Sequence, residues 1–498
     1  MGSLTAKSAW ILAAILLGAT WGRVDALSLT RYPSLWLQTP TSILIAWQTD
    51  IAATGKVLHG PTPALGLEAT HAGSSTEHAV PVVGLSSASE YYYRVVSDSD
   101  TLTDGSDTFR TAPSTVEPFR FLAFGDLGRA TPEQIQIAAR IDTLNADLAI
   151  LTGDIIYEAG EAANFTPQYF DIYRPTIARV PFYLSLGNHD VATLNGQPYL
   201  DAFHLPSNNP AGTERYYSFD YSNAHFVSLE VTIENAVPSL AMRTWLDADL
   251  AASTRHWKFV FLHVPMYSNL GVHGDDPTIA ASLGPIFDAR DVDMVFQGHN
   301  HFYTRTYPIV GGSVVSASQE PSYLNPGAPI YVVTGGAGRF LHGLAAPTPY
   351  EATSQSTFHV TSMDVAGITV TLQAIDRDGN VFDAMTLTKD TPVAVAPNAE
   401  ERHASSRFSA GHASPNPSDG ETEIRFTLDR TSSVRVKLFD VAGKLVRVLD
   451  PPTPFGPGPC AVRWDGRMGG GSVAPAGLYF ARIESGGRAV TARLLRVR

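Results

Sequence analysis

The chain is nearly free of cysteine. Cys460 is the single one in 498 residues. An intramolecular disulfide is therefore excluded, as are a thiol nucleophile and a cysteine-ligated metal cluster as the main chemistry. Cys460 itself lies in a Pro/Gly-rich stretch and reads as a surface thiol. Positive charge is also scarce. The 35 Lys/Arg are outnumbered by 48 Asp/Glu, a net of -13, which argues against a protein that coats nucleic acid. Beyond the N-terminus no segment stays apolar for the ~18 residues that a membrane span needs, so no transmembrane segment is expected in a mature chain. No repeat of solenoid or propeller period is visible.

What is present is material for a sizeable core, with 44% apolar residues, and length enough for about three domains. The charge is unevenly spread. Residues 401–498 hold 15 Lys/Arg against 9 Asp/Glu, and residues 1–400 hold 20 against 39, a contrast that suggests separate modules. Residues 1–26 read as a secretory signal peptide. Lys7 is followed by the short apolar run Ala9 to Gly18, and Val24-Asp25-Ala26 offers a cleavage site. The alternative is an uncleaved N-terminal anchor. Residues 27–115 carry short β-rich runs at sandwich-like spacing, such as Ser42 to Gln48 and Tyr91 to Val96.

Residues 116–390 change character. Apolar runs recur at Phe119 to Phe124, Leu148 to Leu151, Pro181 to Leu186, Lys258 to Leu262, Val292 to Phe296 and Ile330 to Val333, each ending in a polar or Gly-rich loop. A helix is expected after the first run, with Thr131 as N-cap and Pro132 at the first helical position. Strands alternating with helices indicate an α/β layered domain. Residues 391–412 read as an Ala/Pro/Ser-rich linker, and residues 413–498 return to short strands, a second small β-sandwich.

The chemistry-bearing residues sit where the α/β strands end. Gly125-Asp126-Leu127-Gly128 follows the first strand, Gly153-Asp154-Ile155-Ile156-Tyr157 the second, and Gly187-Asn188-His189-Asp190 the third. His263 follows the fourth and Gly298-His299-Asn300-His301 the fifth. Ligands of open α/β sheets bind at the carboxyl ends of strands. Carboxylate, amide oxygen and neutral imidazole are ligands that hard-to-borderline metals accept, and one Asp can bridge two ions. Two close cations can clamp a phosphoryl group and lower the pKa of a bound water. Each piece alone has a bland reading: Asp126 as a turn residue, Tyr157 as packing, His263 as a structural histidine. The ordered set is what points to a binuclear site.

This ordered set resembles the calcineurin-like metallophosphoesterases, and within them the purple acid phosphatases. The carriers are Gly125-Asp126-Leu127-Gly128, Gly153-Asp154-Ile155-Ile156-Tyr157, Gly187-Asn188-His189-Asp190, Val260-Phe261-Leu262-His263 and Gly298-His299-Asn300-His301, extending to Tyr303, Arg305 and Thr334 to Gly338. The wider family opens on Asp-x-His, and Gly128 stands where that His would be. The purple branch compensates with the tyrosine that Tyr157 matches. The resemblance implies a four-layer α/β (α+β) β-sandwich core flanked by two all-β sandwich domains. It implies Asp126, Asp154, Tyr157 and His301 on an Fe(III), and Asp154, Asn188, His263 and His299 on a divalent Fe, Zn or Mn. His189 is implied near the substrate and leaving group. His273, in the loosely matched Gly271-Val272-His273-Gly274, resembles a second substrate-side histidine and reads equally well as a solvent-exposed one. Asp190 departs from the Glu common in that branch.

The flanking segments resemble companions of this family. Residues 27–115 look like its fibronectin type III-like N-terminal domain. Residues 413–498 resemble the Ig-like module related to flagellar hook-capping and type IX sorting domains, through Asn416-Pro417, Phe439 to Gly443, Trp464-Asp465-Gly466 and Gly477-Leu478-Tyr479. The expectation is an exported, bacterial, acid phosphatase-type enzyme, periplasmic, cell-surface or extracellular. It would hydrolyse small phosphate monoesters by in-line attack of a metal-bound hydroxide. The alternatives are a phosphodiesterase or nucleotidase on the same site, or an inactive surface-attached binding protein. The last module is either a sorting or attachment signal for secretion or surface machinery, or a passive spacer.

Overall fold

The computed structural model describes residues 27–232, 237–317, 321–389 and, with short interruptions, 409–497. The expected signal peptide and residues 391–408 of the expected linker lie outside the described residues. Two compact units emerge, Met1–Thr391 and Pro392–Arg498.

The first unit begins with a six-stranded sheet. Hydrogen bonding joins all its strands into one sheet. The strand Ser42–Gly60 pairs Leu29–Trp36 through residues 44–49 and Glu90–Ser97 through residues 55–60, with irregular register between Gln48 and Ala53. That break lets one long strand turn through both halves and wrap a core of Leu35, Ile45, Trp47, Val57, Val82, Tyr93 and Phe109. Tyr93 donates its hydroxyl to the Ala178 carbonyl at 2.7 Å, and the Arg31 guanidinium lies 3.9 Å over the Phe170 ring. These contacts tie the sheet to the segment that follows.

Two seven-stranded sheets form the heart of the unit. In one, Phe119–Phe124, Leu148–Leu151 and Phe182–Leu184 run parallel, and three antiparallel strands from 359–388 extend it through His359–Ala366, which pairs with Phe119–Phe124. In the other, Ala224–Ser228, Trp257–Phe261, Met294–Gln297 and Ile330–Thr334 run parallel. Strand alternation sets the layers. Phe121 meets Phe226, Phe259 and Phe296 between the sheets, while Phe124 turns the other way onto Tyr173 of the helix Asp171–Ile177. On the second sheet Val260, Leu262 and Val295 face outward onto Leu246 and Leu250 of the helix Leu240–Ala252 and Leu283 and Phe287 of Pro277–Ala289. The order is helices, sheet, sheet, helices.

The helix after the first strand is Pro132–Asp142, capped as its sequence indicates. Thr131 accepts from the Gln134 amide at 3.2 Å. The Thr131 hydroxyl also donates to the Gly338 carbonyl at 2.9 Å, which fixes the loop after the last parallel strand.

The second unit has a three-stranded sheet of Ser409–Ser414, Thr422–Leu428 and Gly458–Trp464, which starts within the expected linker. A four-stranded sheet of Leu445–Leu449, Arg435–Asp440, Gly477–Ser485 and Arg488–Arg496 completes it. Ile424, Phe426, Val436, Leu438, Trp464 and Ile483 form its core. Of the motifs read from its sequence, Asn416-Pro417 and Val441 to Gly443 lie outside the described residues.

Candidate metal centre

The parallel strands of both sheets end at one rim, and the candidate ligands come from the loops just beyond them. Asp126, Asp154 and Tyr157 follow two strands of the first sheet, and Asn188 and His189 follow its third. His263, His299 and His301 follow strands of the second sheet. Three of these residues sit in the left-handed backbone region, Asp126 at φ 59°, Asp154 at φ 51° and His299 at φ 67°. Non-glycine residues held there cost free energy and cluster at functional sites.

Two donor groups result. The Tyr157 hydroxyl stands 3.2 Å from Asp126 Oδ1, 3.1 Å from Asp154 Oδ2 and 3.4 Å from His301 Nε2. His263 Nε2 stands 3.0 Å from Asn188 Oδ1 and 3.3 Å from Asp154 Oδ2. The ligand atoms of Asp154, His263 and His299 all lie within 4.8 Å of one another. Asp154 Oδ2 thus belongs to both groups, as a bridging carboxylate would. Donors bound at about 2.1 Å from one ion stand roughly 3.0–3.4 Å apart, so the spacing suits metal coordination.

The protons agree with that reading. His263 donates Nδ1–H to the Thr152 carbonyl at 2.8 Å, and His301 donates Nδ1–H to the Phe340 carbonyl at 2.7 Å. Both rings therefore turn Nε2 inward, the usual arrangement for a metal-binding imidazole. Burial pushes His299 down to about 2, which keeps it neutral and able to ligate. For His263 burial acts in the same sense, but the Asp154 carboxylate outweighs it and raises the ring to about 9. Burial, with Asp154 and Asp126 beside it, pushes the Tyr157 phenol well above its ordinary value. These carboxylates thus hold protons on their neighbours until a cation takes their place, so metal uptake releases protons.

Close backbone approach demands glycine here. A Cβ on Gly187 would collide with the Asp154 amide and carboxylate, and one on Gly298 would lie 2.5 Å from the Thr152 carbonyl and 2.8 Å from Asp126 Oδ2.

His189 lies beside both groups. Its amide donates to Asp154 Oδ1 at 2.9 Å, its ring stands 4.4 Å from that of Tyr157, and its Nδ1 contacts the Glu158 carbonyl. The side chain is part-exposed and Nε2 faces Asp154 Oδ2 at 3.9 Å. His273 is brought to the same rim, its ring 4.2 Å from that of His299, although its own residue is exposed. Asp190 is buried and accepts from the amides of Ile155, Ile156 and Gly187 at 2.9–3.0 Å. It clamps two ligand loops together, so the departure from Glu bears on loop position. Tyr303 and Arg305 turn away from the site. Both bind Asp383, Tyr303 at 2.6 Å and Arg305 through two bonds of 2.7 and 2.9 Å.

Sequence reading missed His342. Its ring stacks on His301 at 3.9 Å, and its Nδ1 accepts the His301 amide at 3.2 Å. Arg339 was missed too. Its guanidinium lies 4.6 Å over the Tyr157 ring and binds Glu158 at 2.7 Å. Both sit in the loop after the strand Ile330–Thr334, and that position at a parallel strand's carboxyl end was the available signal.

Comparison with known proteins agrees with this geometry. Residues 119–303 match the family model for the calcineurin-like phosphoesterases, and residues 412–487 that for the FlgD Ig-like domain. That matched stretch, residues 119–303, contains every candidate ligand at the rim. The chain is similar to human acid phosphatase type 7, 27% identical over 296 residues, 53% of this chain and 66% of that protein. It is similar to purple acid phosphatase 21 of Arabidopsis thaliana, 28% identical over 52% of this chain and 58% of that one. The chain thus spans just under two thirds of the human protein's length. Its fold is like that of purple acid phosphatase PPD1 from yellow lupin seeds, with a TM-score of 0.63 at 20% identity over 72% of this chain and 74% of that one.

Proposed function

We propose that the chain is an exported, binuclear-metal phosphatase of the acid phosphatase type, acting on phosphate monoesters. The observation that carries this reading is the pair of donor groups sharing Asp154 Oδ2. The names of the relatives, acid phosphatase and purple acid phosphatase, support the substrate class. Asp126, Asp154, Tyr157 and His301 would hold one ion, and Asp154, Asn188, His263 and His299 the other. A phenolate donor favours a trivalent first ion, Fe(III), with a divalent Fe, Zn or Mn beside it. When bound, such a pair withdraws charge from a phosphoryl group and makes a water nucleophilic near neutral pH.

The chain's own residues supply the rest. The Thr152 and Phe340 carbonyls orient the imidazoles of His263 and His301. Asp190 holds the Asp154 and Asn188 loops in register. His189 lies within reach of a substrate over Asp154. It is placed to donate a proton to the departing ester oxygen. His273 and His342 face the rim from the side of the second sheet and would hold phosphoryl oxygens. The module at 413–498 is proposed as a sorting or attachment domain, and residues 27–115 as a fibronectin-type companion.

The direct test is turnover of a chromogenic phosphomonoester by the metal-loaded protein, before and after chelation, with matched diesters alongside. Loss on chelation and restoration by added metal are expected. Undiminished turnover by Asp154→Ala would refute the proposal.

A further inference from the structure

We propose that the loop carrying Phe340 is the leaving-group subsite of this centre, and that it selects phosphoesters with an aromatic leaving group. The inference rests on the phosphoesterase reading above and adds to it a substrate class.

Phe340 is 60% exposed, although it lies at a buried polar centre. Its position is not incidental. Its carbonyl takes the Nδ1–H of the candidate ligand His301, and its ring stands edge-on to that imidazole at 5.3 Å. This side chain is thus an exposed apolar face set against a candidate ligand, within reach of the ester substituent of a phosphoryl group held at the donor cluster. A second loop carries Leu270 and Val272, 50% and 55% exposed, and its His273 ring stands 5.1 Å from that of His342.

The two loops are built as one surface. Asn269 accepts from the Ala345 amide at 2.7 Å and donates to the Ala345 carbonyl at 3.3 Å. Asn300, between the two ligands His299 and His301, donates to Ser268 Oγ at 2.8 Å and to the Gly274 carbonyl at 3.0 Å. The two loops are thereby anchored to each other and to the ligand loop itself. Preorganised apolar faces bind without an ordering cost.

The neighbouring charge favours an aromatic ring over a polyanionic substituent. Arg339 lies over both Tyr157 and Phe340, and its guanidinium is engaged by Glu158, which also binds Arg129 at 3.2 Å. Those cations already have an anionic partner, whereas the outer face of Phe340 is open to a stacking ring.

Phosphonates test this without the confounding effect of leaving-group basicity, because they are not hydrolysed. Inhibition constants of phenylphosphonate and methylphosphonate are measured on the metal-loaded full chain, for wild type, Phe340→Ala, Phe340→Leu and Phe340→Trp, each with its metal content. Phenylphosphonate is expected to weaken about fivefold in Phe340→Ala, and less in Phe340→Leu. Phe340→Trp restores or tightens it, and the methylphosphonate constant stays within twofold throughout. Equal weakening of both phosphonates, or of neither, overturns the inference while leaving the phosphoesterase reading intact. A metal-loaded wild type that turns over no phosphoester and binds neither phosphonate overturns both.

Discussion

The stretch from His299 to Arg305 feeds two buried polar clusters of opposite kinds. Arg305 meets Asp383 through two charge-assisted hydrogen bonds, and the Tyr303 hydroxyl completes that carboxylate's shell. One positive and one negative group close on each other, and nothing further is required. Four and six residues before Arg305, His301 and His299 enter a cluster built on two carboxylates, Asp126 and Asp154, which His263 faces as a protonated ring. No Lys or Arg forms a salt bridge to either carboxylate among the described residues. The partners are imidazoles, an amide and a phenol. A cluster that carries surplus acid in a buried place is stable as a receptor for cations. The two clusters differ in charge balance rather than in burial, and that difference separates scaffold from site.

Removing an acid from each cluster should break the comparison most sharply. Asp154→Ala is expected to lower phosphomonoester turnover by at least about a thousandfold, the scale seen when a charge-stabilising group is lost. Adding metal should raise the melting temperature of wild type and leave that of Asp154→Ala nearly unmoved, since ligand binding to the native state is what stabilises it. Asp383→Ala should do the reverse. It leaves Arg305 buried without its partner and should cost about 3–5 kcal/mol of stability, while the stabilisation gained on adding metal persists. Denaturant titrations with and without metal check both. A metal-dependent stability loss in Asp383→Ala would contradict the distinction.

Tyr157→Phe sharpens the unbalanced side. It deletes one donor and no formal charge of the resting cluster. If the phenolate binds a ferric ion, the wild-type protein is coloured, and the variant loses its visible band while keeping the divalent ion. Turnover should fall by about 10–100-fold, comparable to loss of an orienting ligand partner. An unchanged visible spectrum in the variant would remove Tyr157 from the ligand set.

The sequence announced one of these clusters and concealed the other, for a physical reason. Asp126, Asp154, Asn188, His299 and His301 each follow a strand within a short Gly-containing turn, and His263 follows one within two residues, so their neighbours in space can be read from strand order. Most of the parallel strands and the helix Pro132–Asp142 were legible in the same way, from apolar runs and one cap. Asp383 lies 78 residues from Arg305 in the chain, and only the pairing of distant strands brings it in. His342 and Phe340 lie in a loop whose course depends on Gly338 being held by Thr131. The continuous six-stranded N-terminal sheet was hidden too, because a 19-residue strand that serves both halves carries the same local pattern as two short ones.

A third polar cluster lies between these extremes and gives the smallest expected effect. His225 is buried and bonds Asp220 at 2.7 Å through Nδ1 and Asp249 at 2.8 Å through Nε2. With both ring nitrogens donating, the imidazole is charged. Burial opposes that charge, but the two carboxylates prevail and raise the ring to about 9. A histidine whose folded value lies above its unfolded one stabilises the fold fully below the unfolded value, near 6.5, and loses that contribution as pH rises through about 9. Here the excess acid binds a proton, where the site would bind a metal. His225→Gln should therefore be less stable than wild type by about 1–3 kcal/mol at pH 6, an order of magnitude set by the shift and reduced for the part-exposed Asp220. The gap should narrow to a few tenths above pH 9.5 as the wild-type ring loses its proton. Chelator should not alter it, because the cluster lies at Asp220 on an outer strand and the helix Leu240–Ala252, away from every donor at the rim. A gap that stays constant from pH 6 to pH 9.5 would mean that His225 acts by packing alone, and that charge balance does not govern this cluster as it does the other two.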